Sequence, residues 1–153
     1  MKNKLKFSFI LLTAILIVVS CKKDDSNTSE FYVKAQVGGV EHEASGEYCF
    51  FIDTGFGVTI TGGDKYAFMI PSMEVGTYKF SDNIVSFGTV YIDGVYGGYT
   101  DSTDGSLIIT KYDKDAKVIE GTFQFVGTNG DITKKVTNGS FRCKQQDVSK
   151  LKP

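Results

Sequence analysis

From residue 31 onward, apolar and polar residues alternate along the chain. The first stretch places apolar side chains at every second position, Phe31, Val33, Ala35 and Val37. After the turn signal Gly38-Gly39, the alternation continues with Val40, His42 and Ala44. Successive side chains of a β-strand point to opposite faces of the sheet, so this period of two predicts a hairpin with one buried face.

Short stretches of the same kind continue to residue 143, separated by glycine-containing turns such as Gly62-Gly63-Asp64. They are rich in residues that favour strands, and no segment after residue 21 has a helical period. Residues 94–105 are glycine-rich and polar, and we predict a loop there. The expected fold class is all-β, an antiparallel β-sandwich or barrel-like meander of about nine to ten short strands.

The dipeptide Asn138-Gly139 lies inside the last alternating stretch, residues 132–143. Asn-Gly is typical of a two-residue hairpin turn, but an extra residue at a β-bulge also shifts the alternation. Val136 and Phe141 flank the dipeptide at positions of opposite parity. The pattern therefore favours a bulge over a turn.

The first twenty residues have the pattern of an export signal. Lys2, Lys4 and Lys6 precede an uncharged apolar run over residues 7–19. This run is shorter than the roughly 20 residues that span a membrane, and it matches the apolar region of a signal peptide. The expected organisation is a signal peptide (1–20), a disordered tether (21–30), a β domain (31–147) and a tail (148–153).

The end of the apolar run, Val18-Val19-Ser20-Cys21, resembles the lipobox of bacterial lipoproteins. The resemblance implies cleavage before Cys21 and a diacylglyceryl group on its sulfur, which anchors the protein in a membrane. Val18 stands where leucine is commoner, and ordinary secretory cleavage is the alternative.

The residues behind that cysteine, Lys23, Asp24 and Asp25, are similar to a surface-export signal of the phylum Bacteroidetes. That similarity implies an outer-membrane lipoprotein displayed on the cell surface. If the three residues are only a charged linker, the domain faces the periplasm instead.

Removal of residues 1–20 changes the charge and the cysteine count. The remaining 133 residues hold 14 basic and 18 acidic side chains, a formal charge of −4. This acidic balance does not indicate the basic surface that nucleic-acid binding requires. If Cys21 carries lipid, Cys49 and Cys143 remain as a candidate disulfide in an oxidising compartment. Two separate buried thiols are the alternative.

Catalytic and metal-binding motifs are missing from the sequence, so no cofactor is expected. The single histidine, His42, is in phase with apolar neighbours and is predicted at the edge of the core. Asp101 and Asp104, with Asp93, are weak candidates for calcium, although such residues are ordinary in turns. Four tyrosines are weak candidates for an aromatic platform that stacks on sugar or peptide, or else are half-buried strand and loop residues: Tyr91, Tyr96, Tyr99 and Tyr112.

Five segments together resemble a family of small uncharacterised lipoproteins of Bacteroidetes. They are residues 62–71, 76–80, 105–113, 121–125 and 137–141. The resemblance spans nearly the whole mature chain and rests on strand and turn patterns. It implies an all-β lipoprotein of unknown function in an outer-membrane setting, with no assigned catalytic residues.

We therefore expect a non-catalytic module that is held at the outer membrane by its lipid and binds a protein or glycan partner, or has a structural role. One alternative is a hydrolase that uses carboxylates from among Glu41, Glu43, Asp101 and Asp104, two of which must converge within roughly 5–10 Å to cleave a glycoside. Another is a barrel that holds a lipid in an interior cavity of several hundred Å³, on the order of known ligand pockets.

Overall fold

The computed structural model describes residues 29–80, 87–91 and 98–147, and these residues form ten strands and no helix. None of them therefore lies in a helix long and apolar enough to cross a membrane. The strands are β1 (Tyr32–Val37), β2 (Val40–Ser45), β3 (Cys49–Asp53), β4 (Val58–Gly62), β5 (Tyr66–Ile70), β6 (Gly76–Lys79), β7 (Phe87–Tyr91), β8 (Gly98–Asp113), β9 (Val118–Asn129) and β10 (Ile132–Gln145). The predicted all-β class is confirmed.

All ten strands belong to one sheet, which curls into a half-barrel. Pairing runs from β10 through β3, β4, β5, β7, β8 and β9 and returns to β10. Two seams of this circuit are short, because β10–β3 and β7–β8 are each joined by two described residue pairs. The β10–β3 pair is parallel, and the other described pairings are antiparallel.

The wall opposite β5 consists of the long strands β8, β9 and β10. Strand β8 begins at Gly98, so the loop predicted over residues 94–105 was wrong for residues 98–105. Pairing with β7 and β9 overrides the loop-like composition there, since strand preference depends strongly on context.

Strand β10 carries the predicted bulge. Its register against β9 shifts between Val136 and Gly139, and Asn138 has a φ of +54°. The one extra residue on β10 brings Val136 and Phe141 onto the same buried face despite their opposite parity. The bulge prediction is confirmed.

Aromatic side chains fill the space inside the curled sheet. Tyr66 and Phe68 on β5 meet Phe123 and Phe125 on β9, and the ring centroids of Phe68 and Phe123 are 4.5 Å apart. All four side chains are buried. The lipid-sized interior expected under the barrel hypothesis is therefore wrong for the described part of the chain, because these rings occupy it.

Strand β2 forms one margin of the sheet, and the side chains of Lys65 and Tyr66, at the start of β5, cover it. The Tyr66 hydroxyl donates to the carbonyl oxygen of His42 at 2.7 Å, and the Lys65 ammonium donates to that of Glu43. Such cover protects an edge strand from pairing with another chain. His42 is half-buried opposite Ala35, at the edge of the core where the alternation predicted it.

Candidate functional site

Three loops meet at one end of the half-barrel because the strands before them run in the same direction. Strands β3 and β10 are parallel. Strand β5 is antiparallel to β4, which is antiparallel to β3, so β5 runs in the direction of β3. In the same way β8 runs in the direction of β10, because both are antiparallel to β9. All four strands therefore finish at the same end. We call it the loop end, formed by residues 53–57, 71–75 and 112–117.

A groove of about 490 Å³ opens at the loop end. Its walls combine apolar side chains with carboxylates, a hydroxyl and an amine. The lining residues are Asp53, Gly55, Gly57, Val58, Pro71, Ser72, Met73, Glu74, Val75, Tyr112 and Lys114. We call it the loop-end groove.

Internal hydrogen bonds hold the first loop in shape. An Asp53 Oδ1 atom accepts from the Gly55 N–H at 2.9 Å, while the Thr54 N–H and hydroxyl both donate to the Gly57 carbonyl oxygen, at 3.0 and 2.9 Å. Gly55 has a φ of +78°, a conformation that favours glycine. The turn holds Phe56 at its tip with 89% of its surface exposed.

The second loop is fixed by the hydroxyl of Tyr78 on β6. This hydroxyl donates to the Glu74 carbonyl oxygen at 2.6 Å and lies 2.9 Å from Ser72 Oγ. Ser72 Oγ also accepts from the Glu74 N–H at 3.3 Å. The loop ends at Val75, which is 65% exposed.

The chemistry of the loop-end groove suits a ligand with both polar and apolar parts. Carboxylates of Asp53 and Glu74 and the ammonium of Lys114 supply charge, while Met73 and Tyr112 supply apolar surface. The Tyr112 ring stands edge-on to the buried Phe51 ring, with centroids 6.3 Å apart, so the core fixes its position. A few polar groups among apolar walls are typical of small-ligand sites.

The structure does not bring the predicted tyrosine platform together. Tyr112 lines the groove, but Tyr91 is at the opposite end, where its N–H donates to the Lys65 carbonyl oxygen at 2.7 Å. Tyr96 lies outside the described residues, as does the Tyr99 side chain. Most of the length of β8 separates Tyr112 from Gly98, the β8 partner of Tyr91.

The hydrolase hypothesis requires carboxylates that converge, and those that the structure describes do not. Glu41 and Glu43 lie exposed on β2, whereas Asp104 lies exposed on β8. Strands β1, β10 and β9 lie between them, so the separation along the sheet is about 19 Å at the usual strand spacing. The Asp101 side chain is not among the groups that the structure describes.

Calcium ligation by Asp101 and Asp104 stays a prediction. Asp93 and the Asp101 side chain are not among the described groups, and Asp104 is exposed. The described residues contain no cluster of three acidic, histidine or cysteine side chains that could hold a metal ion.

The two cysteines are neighbours across the parallel seam. Lys144 pairs with Phe50, which places the preceding residues Cys143 and Cys49 side by side on β10 and β3. Both are buried free thiols in this structure, and the candidate disulfide stays a prediction for the exported protein. Burial raises the pKa of both thiols, that of Cys143 strongly, and the nearby Cys49 adds to the increase at Cys143.

Sequence reasoning missed most of the groove. The sequence pattern alone predicts a turn at residues 53–57 and a break between two strands at residues 71–75. One available signal was Phe56, a large apolar residue between two glycines inside a turn. The convergence of the loops depends on strand order, which the alternation does not reveal.

The family model for the domain of unknown function DUF6252 matches residues 29–143. The chain belongs to the DUF6252 family. No curated protein and no solved structure matches it. The match covers the DUF6252 domain from just before β1 to near the end of β10. The predicted anchor and export residues, Cys21, Lys23, Asp24 and Asp25, precede both the match and the described residues.

Proposed function

We propose that this DUF6252 protein is a non-catalytic lipoprotein module that is attached through Cys21 to the outer membrane and binds a ligand in its loop-end groove. The observation that carries the proposal is the groove itself, in which hydrogen-bonded loops hold charged, hydroxyl and aromatic groups around about 490 Å³. Preformed concave sites with a few polar groups are the usual form of ligand sites.

Two features favour binding over catalysis. One Asp53 carboxylate oxygen is engaged by the turn that it stabilises. His42, the only histidine of the chain, lies on β2 and lines no part of the groove. A nucleophile paired with a base, the usual signature of covalent catalysis, is therefore not assembled around the groove by the described residues.

The binding role is tested by screening the mature chain, residues 21–153, against glycan and peptide arrays. A ligand of the groove should lose about tenfold or more in affinity, equivalent to about 1.4 kcal/mol, in the Glu74→Ala or Lys114→Ala variant. Asp131→Ala, in the exposed turn at the opposite end, is the matched control and should bind as the wild type does. Unchanged affinity in both groove variants would reject this site, and a blank screen would favour a structural role.

The anchor is tested separately in cells. Metabolic labelling with a fatty acid should mark the wild type but not Cys21→Ala, which should leave the membrane fraction. Replacement of Lys23, Asp24 and Asp25 by alanine should reduce access of external protease in intact cells if these residues direct surface display. A soluble wild-type protein with an unmodified Cys21 would reject the anchor.

A further inference from the structure

The chain enters the β domain near the loop end. Strand β1 runs opposite to β10 and begins where Tyr32 pairs with Arg142, close to the end of β10. The Glu30 carboxylate accepts from the Arg142 guanidinium at 2.9 Å. The Lys144 ammonium lies 6.0 Å from the centroid of the Phe31 ring. These contacts hold the start of the domain beside the end of β10.

The connection between the predicted anchor and this point is short. Eight residues lead from Cys21 to Ser29, and a chain of that length spans at most about 29 Å when fully extended. A lipid on Cys21 would therefore keep the loop end closer to the membrane than the opposite end, where the turns at Gly38-Gly39 and Gly130-Asp131 lie.

Large apolar side chains are exposed at the same end. Phe56 and Val75 are 89% and 65% exposed, and they belong to the two hydrogen-bonded loops that border the groove. Hydrogen bonds fix both loops, the second through the Tyr78 hydroxyl of β6, and they hold these two side chains in exposed positions. Contiguous exposed apolar patches mark interaction surfaces, and Val75 shares the groove wall with the apolar side chains of Pro71 and Met73.

We propose that the loop end docks on the lipid surface in which Cys21 is anchored, with Phe56 and Val75 in the interfacial layer. This rests on the anchor of the proposed function. The loop end carries four acidic side chains, Asp53, Glu74, Asp113 and Asp115, and two basic ones, Lys114 and Lys117. Because it is acidic, its contact is with zwitterionic rather than strongly anionic lipid. The loop-end groove then opens onto the headgroup layer, and its ligand belongs to the membrane surface.

The experiment uses the absence of tryptophan from the chain. Mature Phe56→Trp protein is coupled through Cys21 to a maleimide-headgroup lipid in phosphatidylcholine vesicles, while Cys49 and Cys143 are protected by burial. Docking should shift the F56W emission to the blue, and brominated phosphatidylcholine should quench it at least about twofold. Val40→Trp, at a 61% exposed position of the opposite end, is the matched control and should show neither change.

Equal quenching of the F56W and V40W proteins, or none in F56W, would overturn the docking proposal. Since the coupling supplies the anchor chemically, that outcome leaves the anchor to be judged by fatty-acid labelling in cells. Circular dichroism of each coupled protein checks the fold. If F56W does not fold, Val75→Trp takes its place, with the same expected shift and the same outcome against the proposal.

Discussion

Gly121 on β9 and Phe141 on β10 are cross-strand partners, and the Phe141 ring covers the glycine so closely that a Cβ at residue 121 would lie 2.5 Å from the ring. The same pairing of an inward glycine with an aromatic residue recurs around the half-barrel. The described pairs are Gly62–Tyr66, Gly88–Phe68, Gly105–Phe125, Gly121–Phe141 and Gly139–Phe123. In four of these pairs the partner's ring takes the space above the glycine, and at Gly105 the Cβ of Phe125 does so. A tightly curled sheet is thus filled by large side chains.

Gly121→Ala should therefore destabilise the fold. The new methyl group would meet both the Phe141 ring and the Ile108 carbonyl oxygen, and such overpacking typically costs about 1–3 kcal/mol. Urea unfolding followed by circular dichroism measures the loss. Gly76→Ala is the control, since a Cβ there meets nothing within 4 Å, and its change should stay within about 0.5 kcal/mol. Equal stability of the two variants would show that the ring does not require the glycine.

The local parts of this architecture are visible in the sequence. Alternation identifies the buried face of β1, and parity across Asn138-Gly139 identifies the bulge, because both depend on neighbouring residues alone. Strand pairing depends on contacts distant in the chain. The loop-like composition of residues 98–105 concealed the first half of β8, and no local signal linked residues 53–57 with residues 71–75 in one groove.

Tyr66 should make stability fall at alkaline pH. Burial raises its pKa to about 12, whereas the phenol of an unfolded chain ionises near pH 10. The free energy of unfolding is unaffected by this group below pH 10 and falls as the pH rises from 10 to 12, by roughly 3 kcal/mol at most. Tyr66→Phe should cost about 1 kcal/mol at pH 7, through the lost bond to His42, and should show a smaller alkaline loss.

The measurement is the free energy of unfolding of both proteins at several pH values from 8 to 12. Burial also raises the pKa of the Cys49 and Cys143 thiols, but both thiols are common to the two proteins and cancel in the difference. Tyr48→Phe, at a 64% exposed position, is the control and should keep the alkaline slope of the wild type. Parallel curves for Tyr66→Phe and the wild type would contradict the prediction.

Asn138 should tolerate glycine but not a β-branched residue. Its φ of +54° is left-handed, which costs most residues about 1–2 kcal/mol, and its Nδ2 donates to Gln36 Oε1 at 2.9 Å. Asn138→Gly should change stability by less than about 0.5 kcal/mol, because glycine adopts this φ freely. Asn138→Val should lose about 2 kcal/mol. Thermal unfolding compares the two, and equal losses would mean that the bulge is not held by this φ.

Oxidation should link Cys49 to Cys143. The register sets their Cα atoms side by side on adjacent strands, about 5 Å apart and within the range that a disulfide bridges. The bond would close the short β10–β3 seam and stabilise the fold by about 2–4 kcal/mol. Non-reducing mass spectrometry of the exported protein should find the linked peptides, and Cys49→Ala should unfold at lower urea concentration than the oxidised wild type. Alkylatable thiols at both positions after export would refute the pairing and leave two buried thiols, as the structure has them.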